Sequence, residues 1–398
     1  MRATDLIETN IRPHCQSIHK TRFDVLQVAI EAALTGRCVT VTGLGRRFPR
    51  AVTEKASIKQ MDLLVGNKHL PGEAPVLYGA MARWIVRKEK RPLIVVDWSV
   101  LSADEKFHVL RASVPAGGRG KTLYQEVHPQ EHYGSPEVQL EFLCRLSQVL
   151  PPDCRPVVVT DAGFKNPWFR AVAALGWDWI GRVRGTVQLT RPQENTWLEA
   201  TLLGRLLEVD TPVYMGAFLL AKTSPLSCAV YALRKPPKGR VHSTLRGQRA
   251  RSSQSRKSAQ REREPWVLVT SLEGGDAIIQ QVIGAYTKRM QIEEAFRDTK
   301  DEYYGLGLNR SRSRSASRFT VLLLINALAL FVAWLMGKIA ELRELHHSYQ
   351  ANTERSRRVL SFVFLGLRVL SRAPLAITRE ELHQARRDIG EALRAGVP

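Results

Sequence analysis

"PLIVVDWS", residues 92–99, is an apolar run that ends on an acid, and it sets the reading of everything around it. Such a run reads as a buried strand closing at Asp97. A second, "RPVVVTD" (155–161), closes at Asp161. Between them "KFHVLRASV" (106–114) alternates and reads as a strand. The glycine-rich "PAGGRG" then predicts a hairpin into "KTLYQEV" (121–127). "SPEVQLEFLCRLSQVL" (135–150) is an amphipathic helix with a Ser-Pro start. Past Asp161 come a helix, "NPWFRAVAALG" (166–176), closed by Gly176, and a strand, "WDWIGRVR" (177–184). This order of strands and helices predicts an α/β fold. In open α/β sheets, sites form outside the carboxyl ends of strands. Asp97 and Asp161 are therefore candidate site residues, although aspartates at strand ends also serve as turn and cap residues.

The flanks read differently. Residues 1–85 are helical, with periodic "RFDVLQVAIEAAL" (22–34), an arginine-rich middle, and "SIKQMDLLVGNKHL" (57–70) ending near Gly66. Short helices with basic turns suit a DNA-binding module, and equally a solvated helical cap. Residues 185–275 carry short apolar pieces that read as strands. Among them, 236–264 holds nine Lys/Arg against two Glu and reads as a flexible basic loop. Beyond 338 the chain is charged and helical, with "RSRRVLSFVFLGLRVL" amphipathic.

The length of 398 residues allows two or three domains. With 59 Lys+Arg against 38 Asp+Glu, the net charge of +21 favours a polyanionic partner, nucleic acid or an anionic membrane surface. Five scattered cysteines without CxxC or zinc spacing suit a reducing cytoplasm, and the N-terminal stretch lacks the apolar core of a signal peptide. "FTVLLLINALALFVAWLMG" (319–337) is long enough to cross a membrane. Its central Asn326 and its isolation favour a helix buried within the protein.

In "YTKRMQIEEAFRDTK" (286–300), two adjacent glutamates stand among four basic residues. On one α-helix, with Tyr286 at 0°, Arg289 falls at about 300°, Glu293 at about 340°, Arg297 at about 20° and Lys300 at about 320°. Glu294 and Asp298 fall elsewhere, at about 80° and about 120°. Glu293 thus belongs with the basic residues. Without the tyrosine and lysine the face is equally a ladder of i,i+4 ion pairs; with them it suits a surface that holds phosphate. Asp97, Asp161 and Glu293 together suit a two-metal phosphodiester site, in which paired Mg²⁺ ions let three carboxylates stay ionised and Arg289, Arg297 and Lys300 neutralise phosphates.

Tyr286, Arg289, Glu293 and Lys300 follow Y-x2-R-x3-E-x6-K, and "VVDWS" and "VVTDAGF" surround the two aspartates. With "GWDWIGRVRG" and "YGLGLNRSRSRSASRF", these blocks resemble the bacterial cut-and-paste DDE transposases of the insertion-sequence family with that signature, most closely those of the tetracycline-resistance composite transposon type. The resemblance runs over nearly the whole chain and is most secure over 92–184 and 265–336.

The resemblance implies a ribonuclease-H-like core with a mixed five-stranded sheet and flanking helices, interrupted by a β-rich insertion. Its parts would be 1–85 for DNA-end binding, 86–184 and 276–340 for the catalytic core, 185–275 for the insertion and 341–398 for a helical region that helps dimerisation. It implies catalysis by Asp97, Asp161 and Glu293 holding two Mg²⁺ (or Mn²⁺) ions, with Tyr286, Arg289 and Lys300, joined by Arg297, on DNA phosphates. Trp266 would stack on a flipped base. Partners would be double-stranded DNA, as terminal inverted repeats and target, and a second copy of the chain, in the cytoplasm at the nucleoid and with no membrane. The basic 236–264 stretch departs from the family pattern. Two other functions remain compatible, a ribonuclease-H-like endonuclease without strand transfer and a catalytically decayed DNA-binding remnant.

Overall fold

The computed structural model describes residues 5–49, 52–204, 207–236, 264–372 and 375–394. The basic stretch expected as a loop, 236–264, lies outside the described residues except at its two ends. The chain forms two units, one from Met1–Cys154 and Arg289–Gly396, the other from Arg155–Lys288.

The first unit begins with helices α1 (Asp5–Asn10), α2 (Lys20–Gly36), α3 (Val41–Arg46), α4 (Glu54–Val65) and α5 (Leu70–Val86). The hydroxyls of Thr40 and Thr53 accept the orphan N–H groups of Gly43 and Ala56, fixing the starts of α3 and α4. α4 stops at Gly66, where the sequence predicts. Strands β1 (Leu93–Val100), β2 (Phe107–Ala116) and β3 (Arg119–Pro129) follow, antiparallel in the order β3-β2-β1. Ala116 pairs with Arg119, which leaves a turn of Gly117 and Gly118 at φ 59° and 79°. Two consecutive positive φ values match the strand twist and admit glycine at little cost. Helix α6 (Pro136–Val149) starts on Ser135, whose hydroxyl accepts from the Val138 N–H.

In the second unit, β4 (Val157–Thr160), α7 (Asn166–Ala174) and β5 (Asp178–Val183) form a parallel strand–helix–strand unit. β6 (Gln188–Thr190), β7 (Leu198–Glu199), α8 (Ala200–Leu203), β8 (Val213–Leu220), β9 (Leu226–Leu233), β10 (Trp266–Thr270) and α9 (Ile279–Lys288) complete it. The strand order is β4-β5-β10-β9-β8-β6-β7. β10 pairs antiparallel with β5 on one side and β9 on the other, so the late strands extend the sheet that β4 and β5 begin and leave no unpaired edge on β5 or β9 there.

The chain returns to the first unit through α10 (Met290–Lys300), α11 (Ala316–Leu342), α12 (Phe362–Arg372) and α13 (Arg379–Arg394). The single helix expected over 286–300 is two: α9 ends at Lys288 and α10 begins at Met290, with Arg289 as its N-cap residue. α11 contains the long apolar run. It is buried on every side, with Leu322, Leu324, Ile325, Val332, Leu335 and Met336 at 0% exposure. Each such side chain contributes on the order of 1.5–3 kcal/mol. Asn326, fully buried, donates to the Thr299 carbonyl at 3.5 Å, joining α11 to the end of α10.

α11 and α12 meet backbone to backbone at Gly337 and Gly366. A Cβ at Gly366 would overlap the Ala333 carbonyl, and one at Gly337 the Phe362 carbonyl. Gly366→Ala should therefore lower stability by about 1–3 kcal/mol through overpacking. Gly284→Ala, where a Cβ meets nothing within 4 Å in α9, should raise it by about 0.5–1 kcal/mol. Urea unfolding of the two variants against the parent checks both signs.

Candidate active site

β1 alternates its side chains, so Asp97 and Ser99 share one face of the strand while Trp98 and Val100 take the other. α10 lies against that strand and carries Glu293 and Lys300. Arg289, at the start of α10, links the two. Its Nη1 donates to Asp97 Oδ2 at 2.8 Å and its Nη2 to Glu293 Oε1 at 2.8 Å. The Arg289 and Asp97 side chains are largely buried, at 14% and 12% exposure, whereas Glu293 is open at 47%. Asp97 Oδ1 also accepts the Trp98 N–H at 2.9 Å, which fixes the carboxylate plane.

Lys300, two helical turns beyond Glu293, donates to Ser99 Oγ at 2.9 Å and to the Val100 carbonyl at 3.2 Å. Burial, aided by the nearby Arg111, holds its pKa below the ordinary lysine value. Ser99 was not singled out from the sequence. Its signal was available, since it stands two residues past Asp97 on an alternating strand.

The other side of α10 is structural. Glu294 pairs with Arg297 at 2.6 Å and with Arg119 at 3.6 Å, and Arg119 Nε donates to Asp298 Oδ2 at 2.7 Å. The shared face expected for Arg289, Glu293 and Arg297 is thus only half realised. Arg297 turns to Glu294 and lies 5.5 Å from the Tyr304 ring centroid, because an i,i+3 carboxylate and an aromatic ring hold it there.

Three of the expected site residues belong to the second unit. Asp161 follows β4 directly, and its Oδ1 accepts the Gly163 N–H at 2.8 Å, the local turn that short acidic side chains favour. Beside it opens a cavity of about 300 Å³ whose wall includes Lys165, Asn166, Arg182, Gln188 and Lys222. Tyr286 is buried at 3% exposure and meets the ring of Trp266 edge-on, centroids 4.7 Å apart. Lys235 Nζ lies 3.6 Å from the Trp266 ring centroid, so a cation already covers the indole.

A strand-borne aspartate and a helix-borne glutamate thus converge on one cation, on a mixed α/β scaffold. The sequence profile of the transposase DDE domain matches residues 88–332, and the chain belongs to that family. No curated protein matches the chain. Among solved structures, the chain is similar to a piggyBac transposase in a synaptic complex with hairpin DNA. The identity is 10% and the TM-score 0.43, over 99% of this chain and 83% of the other.

Asp298, at 2% side-chain exposure, is pushed up to about 6 by burial, which outweighs the pull of Arg119 and Lys121. An unfolded aspartate titrates near ~3.9. Between about pH 4 and about pH 6 the folded chain therefore holds the extra proton, and stability from this group falls as pH rises through that window. Asp298→Asn should flatten that part of the profile, measured as urea midpoints of variant and parent from pH 4 to pH 7.

Proposed function

We propose that the chain is a cut-and-paste DNA transposase of the insertion-sequence type marked by Y-x2-R-x3-E-x6-K, built on a ribonuclease-H-like core. Asp97, Asp161 and Glu293 form its acidic triad. The observation that carries the reading is the convergence of Asp97 and Glu293 on Arg289. Two carboxylates already share one positive group, so their placement suits divalent cations. Asp97 and Glu293, with Asp161, would hold two Mg²⁺ or Mn²⁺ ions, which when bound supply Lewis-acid activation of the attacking oxygen and stabilise the leaving one.

The substrate is double-stranded DNA bearing the element's terminal inverted repeats, in agreement with the charge of +21. Water opens one strand at the element's end and leaves a 3′-hydroxyl. That hydroxyl attacks the opposite strand, displacing the flanking DNA and closing a hairpin. A second water opens the hairpin, and the 3′-hydroxyl then joins target DNA. Each step is an in-line displacement at phosphorus, so one site serves all four. Lys300 places positive charge along the strand, and Arg297 joins it once it leaves Glu294. Arg289 neutralises the two carboxylates until it is released to a phosphate. In the second unit, Lys165, Arg182 and Lys222 line the cavity beside Asp161 and offer further phosphate contacts. Trp266 becomes available to a flipped base once Lys235 leaves its ring. The helices of 1–85 read the repeats, and 341–398 supports a homodimeric synapse in the cytoplasm, at the nucleoid and away from any membrane.

Asp97→Asn and Glu293→Gln should each reduce Mg²⁺-dependent cleavage of end-bearing DNA by at least about 10²-fold while leaving binding in place, whereas Glu294→Gln should cleave nearly as the parent does. Hairpins and joined products on a denaturing gel support transposition. Simple cuts alone indicate an endonuclease, and full cleavage by Glu293→Gln removes the triad assignment. Arg289→Ala should bind Mn²⁺ more tightly, by electron paramagnetic resonance titration, because no guanidinium then competes for the carboxylates; it should also weaken DNA binding. An unchanged Mn²⁺ affinity would exclude the competition.

A further inference from the structure

The first unit encloses a cavity of about 20 Å³ on the side of α10 away from Glu293. That exceeds the ~10–15 Å³ that a single water-sized occupant needs. Arg111, Arg119, Lys121, Asp298 and Trp334 are in its wall. Arg111 and Lys121 are interior residues, at 1% and 6% exposure.

Arg111 is the anomaly. A guanidinium does not lose its charge in a protein, and a buried charge requires a counter-charge or dense hydrogen bonding. Its Nε donates to Gln125 Oε1 at 2.8 Å and its Nη2 to Thr299 Oγ1 at 3.1 Å, both neutral acceptors, and its Cζ lies 4.6 Å from the Phe296 ring centroid. Nη1 has no acceptor among the described residues. Nor does any described carboxylate stand at ion-pair distance from it. Lys121 also lacks an acceptor, although an ammonium, unlike a guanidinium, can shed its proton, and burial holds its pKa well below the ordinary lysine value. Its Nζ lies 4.4 Å from the Trp334 ring centroid, and the indole Nε1–H has no acceptor either.

The cavity's carboxylate, Asp298, is engaged through Oδ2 by Arg119. Its Oδ1 is without a donor and is the one group in the wall that opposes an anion. Arg119 is shared between Asp298 and Glu294, so Arg111 and Lys121 are the basic groups of the wall without an ion pair among the described residues, and Arg358 is close enough to add to the field at Lys121. A water would accept from two of the waiting donors and donate to Asp298 Oδ1, but would leave the Arg111 guanidinium without a counter-charge. A monatomic anion satisfies the donors and supplies the charge in the same volume.

We propose that this cavity is a binding site for one small inorganic anion of halide size, chloride in ordinary solution, held by Arg111 Nη1 and Lys121 Nζ with the Trp334 N–H beside them. Its occupant stabilises the unit that presents Asp97 and Glu293, since Asp298 and Glu293 belong to one helix. Nothing in this assignment depends on the DNA chemistry.

The test uses the full chain in sodium bromide and in sodium gluconate at equal ionic strength. Bromide should raise the thermal midpoint of the parent. The rise should vanish in Lys121→Met and shrink in Trp334→Phe, both of which leave the exposed basic surface as it is. Crystals of the parent grown in bromide should show an anomalous peak in the cavity, and this readout decides the matter alone if Lys121→Met does not fold. A cavity holding only water in those crystals, or an equal bromide effect in parent and Lys121→Met, would overturn the proposal.

Discussion

Arg289 is the side chain on which the candidate-site geometry of the first unit turns. One guanidinium, itself largely buried, reaches a carboxylate on β1 and another on α10, each at 2.8 Å. Two acids brought together without it would repel, and one would take up a proton. The planar fork of arginine suits the task, because its two terminal nitrogens diverge in fixed directions and lysine offers only a point charge. α10 must therefore start where it does. Moving Arg289 away from the helix start would separate the cation from Glu293, its partner one turn later.

The rest of the first unit holds that geometry. β1 is the end strand of an antiparallel trio, and the register sets Asp97 opposite Arg111 on β2. α10 is anchored from behind by the Arg119–Asp298 pair and at its end by Lys300 on Ser99 and by Asn326 on the Thr299 carbonyl. The Val39 N–H donates to the Leu306 carbonyl at 2.8 Å, tying the loop after α10 to the N-terminal helices. α11 supplies the apolar wall. A helix as long and uniformly apolar as a membrane span serves here as a core element, wrapped by α2, α5, α12, α13 and β3.

Local patterns were legible where one physical signal dominated. The run closing at Asp161, the Gly-Gly hairpin, the Ser-Pro helix start and the glycine after α7 sit where sequence reading puts them, whereas β1 runs on past Asp97 to Val100 and keeps that carboxylate inside the strand. Helical geometry sets Glu293 with the basic residues and Glu294 apart; Glu293 does hold Arg289, but Glu294 holds two arginines, Arg297 and Arg119. What escaped were the choices made by competing neighbours. Arg297 had two carboxylates in reach along its helix, and periodicity cannot rank them. The break at Arg289 left no proline or glycine in the sequence to mark it. Alternation in "KFHVLRASV" marks a strand but not what covers its polar residues, and His108, Arg111 and Ser113 are all buried. His108 lies on one face of β2 and Arg111 and Ser113 on the other, so polar side chains are buried on both.

The placement of β10 has a consequence for how the second unit is assembled. β5 ends at Val183, and its antiparallel neighbour is not supplied until Trp266–Thr270. During synthesis, the backbone donors and acceptors along that side of β5 wait for a segment that emerges many seconds later at ordinary elongation rates. Until then a short apolar strand stands open to any passing extended chain. Completion of the unit is thus set by closure of a long, nonlocal loop, which favours slow maturation and a need for chaperone shelter.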